Sequence, residues 1–184
     1  MNLRIALALG AAVPALLAMP AIAQQAQSSE DALAEKVANN TNPASFQVYG
    51  LTPAPKVVSD KAVQGGKVLR LPVTGSGDPW SVGVNVPLIK PVKAGDRIVI
   101  AFYVRLSKAE AATAKVGAQL QLSSAPYTAI FSKSFDATTE WQFLQVAGKA
   151  DKDYPAGAVG AAFHINTGKH VLDLGPVAVV DMGQ

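Results

Sequence analysis

The chain has no cysteine. No disulfide can staple it and no thiolate can hold a metal or attack a substrate, so its fold rests on an apolar core alone. Histidine is nearly as scarce. His164 and His170 are the only two, and they show neither H-x-H nor H-E-x-x-H spacing, which argues against a histidine metal centre. A structural calcium would need backbone carbonyls together with Asp or Glu. No EF-hand-like acidic loop is present, and no cofactor is expected. Catalytic signatures are missing too. There is no G-x-S-x-G elbow and no G-x-x-x-x-G-K-[ST] loop. Gly75-Ser76-Gly77 opens like a dinucleotide motif but lacks the third glycine and a following helix. The acids Asp78, Asp96, Asp136, Glu140, Asp151 and Asp153 fall mostly in predicted turns, not in the facing pairs that glycosidic hydrolysis needs. The composition therefore gives no sign of an enzyme. Long charge runs are absent as well. The net charge is +3 and the pI about 9.2, but Lys and Arg are scattered, which argues against a nucleic-acid partner.

What is present begins with Met1–Ala23. Arg4 supplies a positive n-region, Ile5 to Met19 an apolar stretch, and Ala21-Ile22-Ala23 a small-x-small cleavage site. This reads as a cleavable secretory signal, cut after Ala23, and predicts a periplasmic or secreted protein. Pro14 and Pro20 interrupt the apolar run, which is too short for a confident span, and no later segment is long and apolar enough. No membrane span is expected once the signal is removed. Residues 24–44 form a polar leader. Ser29-Glu30-Asp31 resembles a helix start, with Leu33 and Val37 at i and i+4, so a short helix or a disordered leader is expected. Residues 45–184 make one domain of ordinary size.

From Ser45 onward the signals are β. Strands are predicted over 45–49, 67–73, 81–87, 97–106, 115–123, 127–135, 141–147, 158–166, 171–174 and 176–181, separated by Gly, Pro and Asp turns. Residues 108–115 are read as a loop. Several short strands so punctuated predict an antiparallel β-sandwich or jelly roll. Within Lys115–Phe131, Val116, Ala118, Leu120 and Leu122 alternate with Gly117, Gln119, Gln121 and Ser123. A period of two places one set on each face of a strand. The apolar set faces a core. The other face carries two amides, which are poor core residues but good partners for a polyhydroxyl ligand.

Other strands show the same division. Asn85, then Tyr103 and Arg105, then His164 and Asn166 each lie opposite a clean apolar row. If these strands neighbour one another, their polar faces merge into one surface of amides, an imidazole, a guanidinium and a phenol ring. Planar hydrogen-bonding groups beside aromatic rings suit a sugar. An antiparallel sheet also has a solvated face in any case, so the pattern alone favours a plain polar surface. Trp80 shares its parity with Val82 and Val84, which reads as a core or rim position. Trp141 reads as an inter-sheet packing residue, and Tyr127, at a loop edge, as a stacking platform.

Several stretches taken together resemble the carbohydrate-binding modules of families 4 and 9, found attached to bacterial xylanases and cellulases. They are GGKVLRLPV, DPWSVGVNVPL, VKAGDRIVIAFYVRL, VGAQLQLSSAPYTAIFSKSFDATTEWQFLQV and VGAAFHINTGKHVLDLGPVAVV, spanning about 65–180. The resemblance implies a galactose-binding-like jelly roll that binds β-linked glycans such as xylan or β-glucan without catalysis. Carried over by position, it implies a site at Trp80, Gln119, Gln121, Tyr127 and His164, with Arg105 and Asn166 second and Tyr103 beside them. Such modules usually accompany a catalytic domain, whereas this chain reads as solitary after its signal. A separate glycoside hydrolase or an envelope protein is therefore an expected partner. The alternative is a structural or protein-interaction domain of the cell envelope, and a weaker one a small hydrolase with His164 as base.

Overall fold

The computed structural model describes residues 31–184. The segment read as a signal, and the leader up to residue 30, lie outside the described residues. Ten strands follow: β1 (Gln47–Tyr49), β2 (Lys56–Ser59), β3 (Lys67–Val73), β4 (Gly83–Pro87), β5 (Arg97–Ala109), β6 (Ala114–Leu122), β7 (Ala129–Ala137), β8 (Gln142–Lys149), β9 (Val159–His164) and β10 (His170–Asp181). They form two five-stranded antiparallel sheets. The front sheet has the order β1-β4-β9-β6-β7 and the back sheet β2-β3-β10-β5-β8. The sandwich expected from alternation is the fold.

Its core is the sum of the alternating apolar rows. Ile98, Ile100, Phe102, Val104 and Leu106 of β5 face Val84 and Val86 of β4, Ala118 and Leu120 of β6 and Phe163 of β9, all buried. Phe102 sits at the middle. Its ring meets Phe163 edge-on at 4.9 Å and Phe135 at 5.6 Å, joining the two sheets. Edge-to-face contacts of this kind add about 1 kcal/mol each beyond the area they bury.

The differences from the sequence reading have local causes. β2 was not anticipated, because Pro53 and Pro55 mark the segment as broken. It survives as an edge strand, paired only with β3. Residues 171–174 and 176–181 are one strand, not two. Gly175 and Pro176 fall in a register shift between Leu174 and Val177, where the missing proline N–H costs no ladder bond. β5 runs on to Ala109, into the segment read as a loop. The sandwich also takes in residues upstream of 45. A short helix over 31–35 leads into a strap that pairs with the half of β10 not covered by β3. Ala38 is buried, its N–H donates to Val179 O at 2.8 Å, and its carbonyl accepts from Ile89 N at 2.7 Å. Asn39, buried as well, donates to Val177 O and accepts from Val179 N.

One ionic cluster sits on the outer side of the back sheet. Asp173 of β10 is fully buried. It accepts from Arg70 on β3 through Nε and Nη2 of one guanidinium edge, each 2.8 Å, and from Arg105 on β5 at 3.1 and 3.2 Å. Arg105 also donates to Asp60 at 2.7 Å. Burial pushes the Asp173 carboxyl up, but the hydrogen bonds and charges of the two arginines outweigh it and hold the group below the ordinary carboxylate range. Asp173→Ala is expected to lower stability at pH 7 by about 3 kcal/mol, read as a lower urea midpoint. A carboxyl depressed by folding stabilises above its unfolded pKa and loses that contribution as pH falls through the folded value. The gap between wild type and variant should therefore be full at neutral pH and close progressively below about pH 4.

Candidate functional site: an amide-lined cleft on the front sheet

The front sheet's outward face is built from three cross-strand rows. Tyr49, Gly83, His164, Gly117 and Ser134 stand opposite one another across β1, β4, β9, β6 and β7. The next row is Gln47, Asn85, Ala162, Gln119 and Ser132, and the third is Pro87, Gly160, Gln121 and Ala129. Gly83, Gly160, Ala162 and Gly117 make a low floor of small residues on the three central strands, the first three buried beneath their neighbours. Amides rise at both sides: Gln47 and Asn85 on one, Gln119 and Gln121 on the other. A cleft of about 270 Å³ lies between them, lined by Gln47, Asn85, Pro87, Gln121, Ser123 and Gly160 among others, none of them charged.

Gln119 Nε2 donates to Gln121 Oε1 at 2.5 Å, which fixes both amides and leaves Gln121 Nε2 without a partner among the described residues. Asn85 Oδ1 is buried and unpartnered among them as well. An orphaned amide oxygen is costly unless a donor reaches it. His164 stands between two glycines on neighbouring strands and is half-buried. Burial lowers its pKa from the ordinary histidine value, so at neutral pH it is an uncharged ring with one donor and one acceptor. Tyr49 covers Gly83 so closely that a Cβ there would collide with the phenol oxygen. Burial raises the Tyr49 pKa, which keeps the hydroxyl protonated.

The cleft has an aromatic residue at each end of its strands. Trp80 lies in the 3-10 turn Pro79–Ser81, directly before β4, and is 59% exposed. It belongs to the rim and not to the core, because the turn takes it out of the strand alternation. Tyr127 stands at the opposite end, in the β6–β7 hairpin turn, and is 55% exposed. Its φ of 55° puts a bulky residue in the left-handed region, at a cost of about 1–2 kcal/mol.

The polar residues singled out by alternation do not share one face. Gln119, Gln121, His164 and Asn85 come together as expected. Tyr103 and Arg105 do not, because β5 belongs to the back sheet and its outward side points away from the cleft. Arg105 is spent on Asp173 and Asp60, with its guanidinium 4.7 Å from the Trp141 ring centroid. Trp141 is thus on the outer side of the back sheet, not between the sheets. Tyr103 packs against Phe143 there, centroids 4.8 Å apart. Asn166 is not a surface ligand either. It lies just past β9, is buried, and its Nδ2 donates to Ser76 O, Asp78 O and Ser81 Oγ at 2.6, 3.1 and 2.7 Å. Its task is to hold the 76–81 loop that presents Trp80. His164 and His170 sit on opposite sheets, and among the described residues no group of three metal-ligating side chains gathers.

Gln47 and Tyr49 were missed because β1 is only three residues long, although the order Gln-Val-Tyr does alternate. The floor was missed too, yet it leaves a trace: Val82-Gly83, Val116-Gly117 and Val159-Gly160 repeat one dipeptide with glycine in the outward place.

A sandwich whose free face carries a neutral, amide-lined cleft over a glycine floor has the build of a binding module. The chain belongs to the carbohydrate binding domain family of modules 4 and 9, whose model matches residues 32–154; the family is one of non-catalytic binding domains. Among curated proteins nothing matches. Solved structures agree in fold. The N-terminal cellulose-binding domain of Cellulomonas fimi β-1,4-glucanase C is 20% identical with a TM-score of 0.57, over 78% of this chain and 92% of that one. The CBM22-1 xylan-binding domain of Paenibacillus barcinonensis Xyn10C is 14% identical, TM-score 0.53, over 81% and 93%. An arabinose-bound GH51 α-L-arabinofuranosidase matches at 12% identity and TM-score 0.57, over 79% of this chain but only 25% of the enzyme.

Asn166→Ala is expected to cost about 1 kcal/mol, since it removes the buried amide that donates to three acceptors of the 76–81 loop. Limited proteolysis should then cut within residues 74–81 well before the rest of the domain. Unchanged cleavage there would show that the loop is held by other contacts.

Proposed function

We propose that this protein is an exported, non-catalytic binder of a neutral β-linked glycan, xylan or β-glucan, seated in the front-sheet cleft. The observation that carries the reading is the cleft itself. Its amides and uncharged lining suit hydroxyls, the neutral His164 imidazole stands one row further along the same face, and the low floor of small residues leaves room for a sugar ring. The family supports carbohydrate as the ligand class. Trp80 and Tyr127 are the stacking residues of this proposal, one at each end. Tyr127 keeps a large ring in a backbone conformation that disfavours it, a form of strain that clusters at ligand clamps. Export rests on the signal-like Met1–Ala23, and a glycoside hydrolase acting on the same glycan is the partner this chemistry implies.

Affinity electrophoresis through xylan and β-glucan tests the site. Retardation is expected on at least one, and Gln121→Ala or Tyr127→Ala should weaken it about tenfold, the loss of roughly 1.4 kcal/mol of hydrogen bonding or stacking. Gly117→Leu should abolish binding yet leave the fold intact, because the nearest atom to a Cβ at 117 is His164 Cβ at 3.5 Å. Tyr103→Ala should change nothing on these neutral gels. Migration unaffected by every neutral glycan would overturn the proposal. Burial holds the His164 pKa below the ordinary histidine value, so any loss of affinity as the imidazolium forms should come at a lower pH than an exposed histidine would give.

Export is tested separately. In a bacterial host the mature chain should begin at Gln24 and appear outside the cytoplasm; an intact Met1 chain confined to the cytoplasm would overturn that part.

A further inference from the structure

The outward face of the back sheet is not an ordinary solvated surface. Its middle is mostly apolar: Val99 and Ala101 on β5, Ala147 on β8 and Ala178 on β10, broken by the exposed amide of Gln145 opposite Ala101, with Phe143 of β8 52% exposed and packed against Tyr103. The small side chains make it flat, and the Phe143–Tyr103 pair stands at one end of the flat stretch.

The other end carries charge of one sign. Arg97 and Lys149 are direct cross-strand partners in the β5–β8 ladder, both exposed, and neither forms an ion pair among the described residues. Like charges placed directly opposite destabilise a sheet. The same face holds Lys56 opposite Arg70 on β2 and β3. Its acids, Asp173 and Asp60, are already taken by Arg70 and Arg105. The face therefore carries an uncompensated positive charge beside a flat aromatic platform, in contrast to the uncharged cleft across the sandwich.

We infer that this face is a second binding surface, for an acidic polysaccharide. Ring faces of the polymer lie on Phe143 and the alanine floor, while its carboxylates meet Arg97 and Lys149. From Arg97 to Arg105 the strand runs about 27 Å, room for several sugar units in line. Charge argues against a second copy of the chain, since like faces would bring the same cations together. Flatness argues against a membrane surface, which is entered by protruding bulky side chains rather than by alanines.

Affinity electrophoresis of the full chain through polygalacturonate tests this. Retardation is expected, fading as salt rises and absent with the fully methyl-esterified polymer, which keeps the backbone but not the charge. Arg97→Gln with Lys149→Gln should cut affinity about tenfold, the loss of two exposed charge pairs. Phe143→Ala should weaken it several-fold through lost ring contact. Both variants should keep the wild-type circular dichroism. Gln121→Ala should bind polygalacturonate like wild type, so failure here and failure of the neutral-glycan cleft are separable. No retardation, or retardation untouched by both variants, overturns the inference. So does binding to phosphatidylglycerol vesicles without binding to polygalacturonate, or a doubling of mass with concentration that the Phe143→Ala variant abolishes.

Discussion

Two sheets share one core, and that constraint decides what every other residue can do. The bulky apolar side chains of β5, β10 and β3 must point at those of β4, β9 and β6, with Phe102 wedged between Phe163 and Phe135. Burying such a ring or a branched aliphatic side chain contributes about 1.5–3 kcal/mol, so the inward rows leave little freedom. The outward rows, the Asp173 cluster apart, are less constrained, and they necessarily face in opposite directions. Each is free to acquire its own chemistry. The front face has become neutral and hollow, the back face ionic at its upper end and apolar along its middle.

The same constraint explains how much was legible in the sequence. Alternation is local, so the inward and outward members of 83–87, 97–106, 115–122 and 159–164 could be sorted residue by residue, and the sandwich followed from the number and spacing of such strands. Which strand joins which sheet is not local. β5 pairs with β10, more than sixty residues away, and with β8, and nothing in the alternation of Tyr103 and Arg105 says which way the finished sheet will face. A polar residue past the end of a strand is equally ambiguous. Asn166 reads as the partner of His164, yet one residue beyond His164 the ladder has stopped and its amide closes a loop instead. Trp80 shows the converse case: parity alone leaves core and rim open, and Pro79 decides for the rim by starting a 3-10 turn that removes Trp80 from the strand.

The glycines of the front sheet are the residues that stability alone does not explain. Glycine inside a strand weakens it by roughly 0.5–1 kcal/mol through lost entropy and packing, and this face has three, at 83, 117 and 160, on adjoining strands. Only Gly83 and Gly160 are crowded by neighbouring atoms; at Gly117 a Cβ would fit in ordinary contact. A sheet selected for stability would carry threonine or valine at 117. Glycine there, beside an imidazole and two residues from a fixed pair of glutamines, keeps the space above the floor open. The Asp173 cluster on the other side offsets part of that cost. It ties β3, β10 and β5 together through one buried carboxylate, so the back sheet is rigid where the front sheet has given up side chains to make room.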